Sequence, residues 1–259
     1  MTISFEQQQL IQQTIADCLR GKFDSYKPET LAMPFHTRLL GADRMALYSF
    51  IHSLNTSFGV SIFEPVAESL AKTRFAQVET QYAVGNQISA GAQQVIQEIL
   101  NDLSAAVMPV NKPEEVERIR AVCQSGQMKT LKVVRADVCL RDSSGAWYLF
   151  DLKTAKPNAS NFKDFKRTLL EWCAIHLAQQ PDAEIHSLIA IPYNPYAPKP
   201  YQRWTLRGML DLPHELKVAE EFWNFLGGSG AYDEVLGCFE RVGIALRPEI
   251  DAYFAKFAV

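Results

Sequence analysis

Apolar residues recur at helical spacing through the first hundred positions. In Gln7–Leu19 they fall at Leu10, Ile11, Ile15 and Cys18. In Asp43–Leu54 they fall at Met45, Ala46, Tyr48, Ile51 and Leu54, again close to a 3.6-residue period. Pro65 suits a first helical turn, so Pro65–Phe75 reads as a further helix. Val95, Ile96, Ile99, Leu100 and Leu103 give Ala90–Ala106 its stripe. Pro113 opens a charged helix to Cys123, with Glu114, Glu115 and Glu117 where the helix dipole favours acids.

At Gly126 the pattern changes. Leu131–Arg141 and Ala146–Ala155 are apolar and β-branched and are separated by Asp-Ser-Ser-Gly, which predicts a hairpin. Asn161–Gln179 returns to helical spacing through Phe162, Phe165, Leu169, Trp172, His176 and Leu177, with Ser160 or Asn161 as cap. Glu184–Ile191 reads as a short buried strand, followed by a Pro- and Tyr-rich loop (Pro192–Tyr201) and Trp204–Leu206. Helices are expected at Leu216–Leu226 and Tyr232–Val242, with Gly227-Gly228-Ser229-Gly230 as a helix stop. The expected organisation is one α/β domain: a mainly helical part over 1–125, a hairpin–helix–strand core over 126–206, and a helical part over 207–259.

Composition narrows the chemistry. The 259 residues carry a net charge of −3, which disfavours a protein that coats nucleic acid through a globally basic surface. Five widely spread cysteines without a CxxC pair read as reduced, mostly buried thiols of a cytoplasmic protein. Five scattered histidines give a zinc site no support. No secretory signal, membrane-length apolar run, internal repeat or Walker A loop is visible. His176 lies on an apolar helix face and reads as a core histidine.

The pattern that carries chemistry is Asp137 followed by Asp151-Leu152-Lys153 on the next strand. Two carboxylates from adjacent strands offer the hard oxygen ligands that Mg²⁺ prefers. A lysine two residues after the second carboxylate projects from the same face and can orient a water at a phosphodiester. An acid two residues before a lysine also occurs at Asp164–Lys166 and Glu215–Lys217, but within helical patterns, where such pairs do not share a face. The register that sets Asp137 opposite Asp151 also sets Asp142 opposite Ala146. It leaves Ser143-Ser144-Gly145 as a three-residue loop, with glycine where such loops need a positive φ. A one-residue slip would put the two acids on opposite faces.

Charge is concentrated around this hairpin. Lys129–Arg167 holds nine basic residues and four acids, net +5, so the rest of the chain carries −8. Lys163, Lys166 and Arg167 sit off the apolar stripe, where a basic helix start can contact phosphates or enter a major groove. A local basic cleft, with strong salt dependence, replaces the picture drawn from net charge alone.

Ala136-Asp137 with Asp151-Leu-Lys153 resembles the PD-(D/E)XK nuclease signature, with alanine in place of its usual proline. FDLKTAKPN (Phe150–Asn158), FKDFKRTLLEW (Phe162–Trp172), PYNPYAPKPYQRW (Pro192–Trp204) and EEFWNFLGGSGAY (Glu220–Tyr232) resemble the TdeIII-type family of type II restriction endonucleases. The resemblance implies a restriction-endonuclease-like core, a mixed central sheet flanked by helices. It also implies a Mg²⁺-dependent homodimer that cuts double-stranded DNA at a short palindrome of GGNCC type, with a companion methyltransferase encoded nearby. The metal would be held by Asp137, Asp151 and the Leu152 carbonyl, with Lys153 catalytic. DNA would be met by Lys156, Asn158, Asn161, Lys163, Lys166 and Arg167. Phe58-Gly59 followed by Glu64 is similar to a pattern shared by enzymes of extended GGNCC sites, so Glu64, with Glu68 the fallback, is a candidate third carboxylate. Two alternatives stay open: a repair or mobile-element nuclease on the same core, and a DNA-binding module that does not cut. The Tyr193–Tyr201 loop either stacks on DNA or braces the sheet edge.

Overall fold

The computed structural model describes residues 3–28, 33–132, 135–153, 155–157, 162–202 and 208–257. The chain divides into two compact units, Met1–Leu70 with Gly227–Val259, and Ala71–Leu226. The first opens with α1 (Phe5–Ser25), whose start is fixed by a capping box between Ser4 and Gln7. Next come α2 (Pro34–Leu40) and α3 (Ala42–Phe58). A π-helical turn over Gly59–Phe63 joins α3 to α4 (Glu64–Ala71), so two helices expected apart run on through Pro65. The wider turn relieves proline's missing donor and ring clash, which an α-helical interior does not accommodate.

The second unit begins with β1 (Gln77–Tyr82) and β2 (Gln87–Ser89). Helices α5 (Ala90–Ser104) and α6 (Lys112–Arg120) are capped by Ser89 and Asn111. Then come β3 (Met128–Thr130), β4 (Ala136–Arg141), β5 (Trp147–Leu152), α7 (Phe162–Gln179) and β6 (Ile185–Ile191). The unit closes with α8 (Leu212–Glu215), β7 (Leu216–Val218) and α9 (Glu220–Gly227).

Five strands form a mixed sheet in the order β1-β4-β5-β6-β7, antiparallel across β1, β4 and β5 and parallel from β5 onwards; β2 and β3 pair separately. The antiparallel pair β4–β5 is joined by a tight turn and the parallel pair β5–β6 through α7, as their connection lengths require. Both faces are covered. On one, α7 sets His176 against Trp147 at 5.0 Å; on the other, Phe222 and Phe225 of α9 lie 5.5 and 5.8 Å from Phe150. His176 is buried, and its Nε2 makes no hydrogen bond among the described residues. The expected mixed α/β core is therefore present.

Two further expectations change. The helix expected over Leu216–Leu226 begins only at Glu220, because Leu216 and Val218 pair with Ile189 and Ile191 and bury alternate side chains. Ala219, at φ 49°, then turns the chain into α9. β1 lay outside the expected elements: it is a mostly half-buried edge strand of mixed polarity.

Returning to the first unit, α10 (Ala231–Ala245) and α11 (Arg247–Ala255) complete it. Gly228 and Gly230 take φ of 94° and 86° between α9 and α10, the expected helix stop. Phe50 of α3 is the hub of an aromatic cluster with Phe23, Tyr253 and Phe254 at 5.6, 5.2 and 5.3 Å. All five cysteines are free, and four are buried.

Candidate active site

The hairpin forms in the register that aligns the two acids. Val138 faces Phe150, and the ladder continues to Arg141 opposite Trp147. Asp142 N–H donates to the Ala146 carbonyl at 3.0 Å, leaving Ser143-Ser144-Gly145 as the loop, with Gly145 at φ 98°. Asp142 also accepts from the backbone N–H of Ser144 and Ala146 at 2.9 and 3.0 Å, so the turn is locked by its own sequence.

Asp137 and Asp151 consequently meet. Leu152 N–H donates to Asp137 Oδ2 at 2.7 Å, and the two carboxyl groups lie close enough to influence each other's titration. Burial pushes Asp151 up to about 6; Lys153 opposes that shift and the neighbouring Asp137 adds to it. Burial raises Asp137 as well, against the Leu152 N–H and the Lys153 charge. Strand alternation places Lys153 on the face of Asp151, and its Nζ lies 2.6 Å from Asp151 Oδ1. The Lys153 side chain is 28% exposed, its ammonium stands 4.9 Å over the Phe165 ring, and its backbone N–H donates to Ala190 at 2.9 Å. Strand β6 and helix α7 thus fix a lysine between a buried carboxyl and the surface.

Gln81 completes the cluster from β1. It takes φ 51°, unusual for a non-glycine residue, and its Nε2 donates to Asp137 Oδ1 at 3.4 Å while Arg135 holds its carbonyl at 2.6 Å. The signal for it in the sequence was the alternation of Val78, Thr80 and Tyr82 around it, weakened by polar neighbours. Among the described residues no group of three or more His, Cys, Asp or Glu side chains forms a metal cage. The fit to Mg²⁺ rests instead on two adjacent carboxyls, raised by burial, with the Lys153 ammonium as counter-charge beside Asp151. Their oxygens are the hard donors such an ion takes.

The remaining site residues divide. Lys156 is exposed, with Nζ 5.3 Å over the Tyr196 ring. Tyr201 Oη donates to the Ala155 carbonyl at 3.1 Å, so the Pro- and Tyr-rich loop braces the segment that follows Lys153. Lys163 and Arg167 are part-exposed on the first turns of α7, and Arg167 donates to Gln97 at 3.2 Å. Asn158 and Asn161 lie outside the described residues. Lys166 is a correction: it is fully buried, 2.5 Å from Glu115 and 2.7 Å from Glu215, and is not available to DNA. Lys112 joins this cluster, 2.9 Å from Glu215 and from Ser187 Oγ. Burial pushes Glu215 up, but Lys112 and Lys166 outweigh it and hold its carboxyl below the usual range. Two lysines thereby balance two glutamates inside the unit, because no buried charge is tolerable unpaired. Glu64 is buried at the start of α4, and Glu68 is half-buried one turn on; both belong to the other unit. A third carboxylate from either rests on the Phe58-Gly59 pattern of the sequence.

Comparison with known proteins finds relatives among restriction enzymes. Over 237 residues the chain is 28% identical to the type II restriction enzyme HgiEI of Herpetosiphon aurantiacus, covering 88% of this chain and 84% of that one. HgiCII of the same organism is 26% identical over 222 residues, 84% and 80% of the two chains. MjaII of Methanocaldococcus jannaschii, also a type II restriction enzyme, is 26% identical over 241 residues, 81% of this chain and 63% of its own. The family model of the type II restriction endonuclease HinfI matches residues 3–243, so by that match the chain belongs to the HinfI family of type II restriction endonucleases.

Proposed function

We propose that the protein is a Mg²⁺-dependent endonuclease that hydrolyses both strands of DNA at a short palindrome of GGNCC type. The observation that carries the reading is the meeting of Asp137, Asp151 and Lys153 in one register-fixed cluster on a buried sheet. Asp137, Asp151 and the Leu152 carbonyl would hold a divalent ion, whose chemistry there would be charge neutralisation at the phosphate and acidification of water. Lys153, part-exposed beside Asp151, holds the attacking water and stabilises negative charge as it builds at phosphorus. Water oxygen bonds to phosphorus and gives up a proton to solvent, the bond to the 3′ oxygen breaks, and that oxygen takes a proton from solvent as it leaves. Products carry 5′-phosphate and 3′-hydroxyl ends. Lys156, Lys163 and Arg167 supply phosphate contacts beside the cluster.

A two-fold dimer would match the two-fold symmetry of the site and bring one cluster to each strand. The place of action is cytoplasmic, and a methyltransferase encoded nearby would protect host DNA. Among the described residues no helix is long and apolar enough to cross a membrane.

The test is digestion of a plasmid bearing GGNCC sites with Mg²⁺, with and without chelator, followed by sequencing of the ends. Linear product with ends inside that palindrome supports the reading. Lys153→Ala should stop cleavage while leaving a gel shift in Ca²⁺ intact. A Lys153→Ala protein that cuts normally sinks the assignment, and cleavage confined to branched or damaged DNA points to the repair reading.

A further inference from the structure

We infer that α2 and the outward face of α3 form the surface through which two copies of this chain associate. Helix α2 buries none of its seven residues. Phe35 and Leu39, one turn apart on it, are 86% and 81% exposed. Leu40 and, on α3, Leu47, Tyr48 and Ile51 are each about half exposed. Scaled from full side-chain areas, these six offer roughly 550 Å² of mainly apolar surface, at the upper end of the largest patches on soluble monomers and the greater part of the ~800 Å² per partner of a stable interface.

A seven-residue helix does not persist on its own hydrogen bonds, because nucleation costs more than so short a run returns. Here the corner holds it in place. Gly41 takes φ 92° between the helices, its N–H donates to the Thr37 carbonyl at 2.9 Å, and a Cβ there would stand 2.7 Å from Asp43 Oδ1. The platform beneath is rigid: Met45, Ala46 and Phe50 are buried on the inner side of α3, and Tyr26 Oη donates to the Ser49 carbonyl at 3.1 Å. A fixed, uncovered apolar face on a rigid helix is what a packed interface uses.

The chemistry of the face selects the occupant. Arg44 is turned onto the Leu40 carbonyl at 2.9 Å and Asp43 at 3.6 Å, so it is not poised for phosphate. Six apolar side chains outnumber the charged ones, the exposed Arg38 and the Arg44–Asp43 pair, and a mainly apolar patch suits an isologous contact in which the same surface of each copy meets. The need for a second copy rests on the two-strand reading above: each chain carries one Asp137–Asp151–Lys153 cluster, and a duplex has two antiparallel strands.

The test uses the full chain without DNA or metal, so it is independent of nuclease activity. Sedimentation over a wide concentration range should show a dimer for the native protein, and a monomer for Phe35→Asp with Leu39→Asp, each substitution raising the dimer dissociation constant about 30-fold or more. Hydrogen exchange on the native protein at high and low concentration should show protection over residues 34–51 that grows with concentration, which serves even where the double variant does not fold. A monomeric native protein, a dimer that survives both substitutions, or exchange over 34–51 indifferent to concentration overturns the proposal. On supercoiled plasmid the folded double variant should nick rather than linearise. A dimer formed through this face by a protein that cuts no DNA leaves the surface standing and refutes the nuclease reading.

Discussion

Replacing Asp151 by asparagine should disable cleavage and, without metal, make the protein more stable. In the folded chain the carboxyl is pushed from an ordinary 3.8 up to about 6, chiefly by burial. A raised acid pKa means that the folded state holds the proton more tightly than the unfolded chain. Stability is therefore lost as pH rises through the window from about 4 to about 6, and the loss is complete above it. Two pKa units correspond to about 3 kcal/mol. Asparagine carries no charge to desolvate, its amide can donate to Asp137, and its oxygen can still accept from Lys153. The variant should therefore exceed the native protein by about 2–3 kcal/mol at pH 8, or roughly 6–10 °C in melting temperature, and by almost nothing at pH 4. Thermal melts in chelator across that pH range measure it. Mg²⁺ at about 100 times its dissociation constant should return about 2.7 kcal/mol to the native protein and nothing to the variant. A gain of equal size at pH 4 and pH 8 would refute the reasoning, since it would then come from packing rather than charge. So would no gain at pH 8.

Other substitutions separate the roles of the neighbouring residues. Lys166→Met removes the ammonium between Glu115 and Glu215 and should cost about 3–5 kcal/mol in a denaturant titration, with any loss of cleavage tracking loss of fold. Lys163→Ala and Arg167→Ala should leave melting unchanged and each lower the slope of log affinity against log salt by about 1, read by filter binding over a salt series. Gly145→Ala forces a side chain into φ 98° at the hairpin loop and should cost about 1 kcal/mol, with cleavage intact if the register survives. Gln81→Ala should raise the Mg²⁺ concentration needed for half-maximal cleavage while DNA affinity in Ca²⁺ stays the same; an unchanged Mg²⁺ requirement would remove it from the site.

What could be read from the sequence was what short-range physics decides. The register of β4 and β5 follows from four consecutive turn residues, Asp142 capping its own loop and Gly145 taking the positive φ, and that register alone brings Asp137 to Asp151. The helices with apolar stripes were legible for the same reason, down to the glycine stop after α9. What escaped depends on partners far away in the chain. β1 is an edge strand whose polar residues hide its alternation, and it matters because Gln81 reaches Asp137 across 56 positions. Lys166 looked solvated because helical periodicity marks only apolar residues as buried. Yet α7 is flanked by more than the sheet: Glu115 of α6 and Glu215 of α8, 51 and 49 positions away, draw one of its basic residues inside. The difference alters the electrostatic picture around the hairpin. The local surplus of +5 counts Lys166, whose charge is cancelled by carboxylates within the unit, so the field at the surface falls to exposed or part-exposed cations such as Lys156, Lys163 and Arg167. Phosphate attraction should consequently depend on a few separable side chains, and truncating them one at a time should lower the salt slope in single steps.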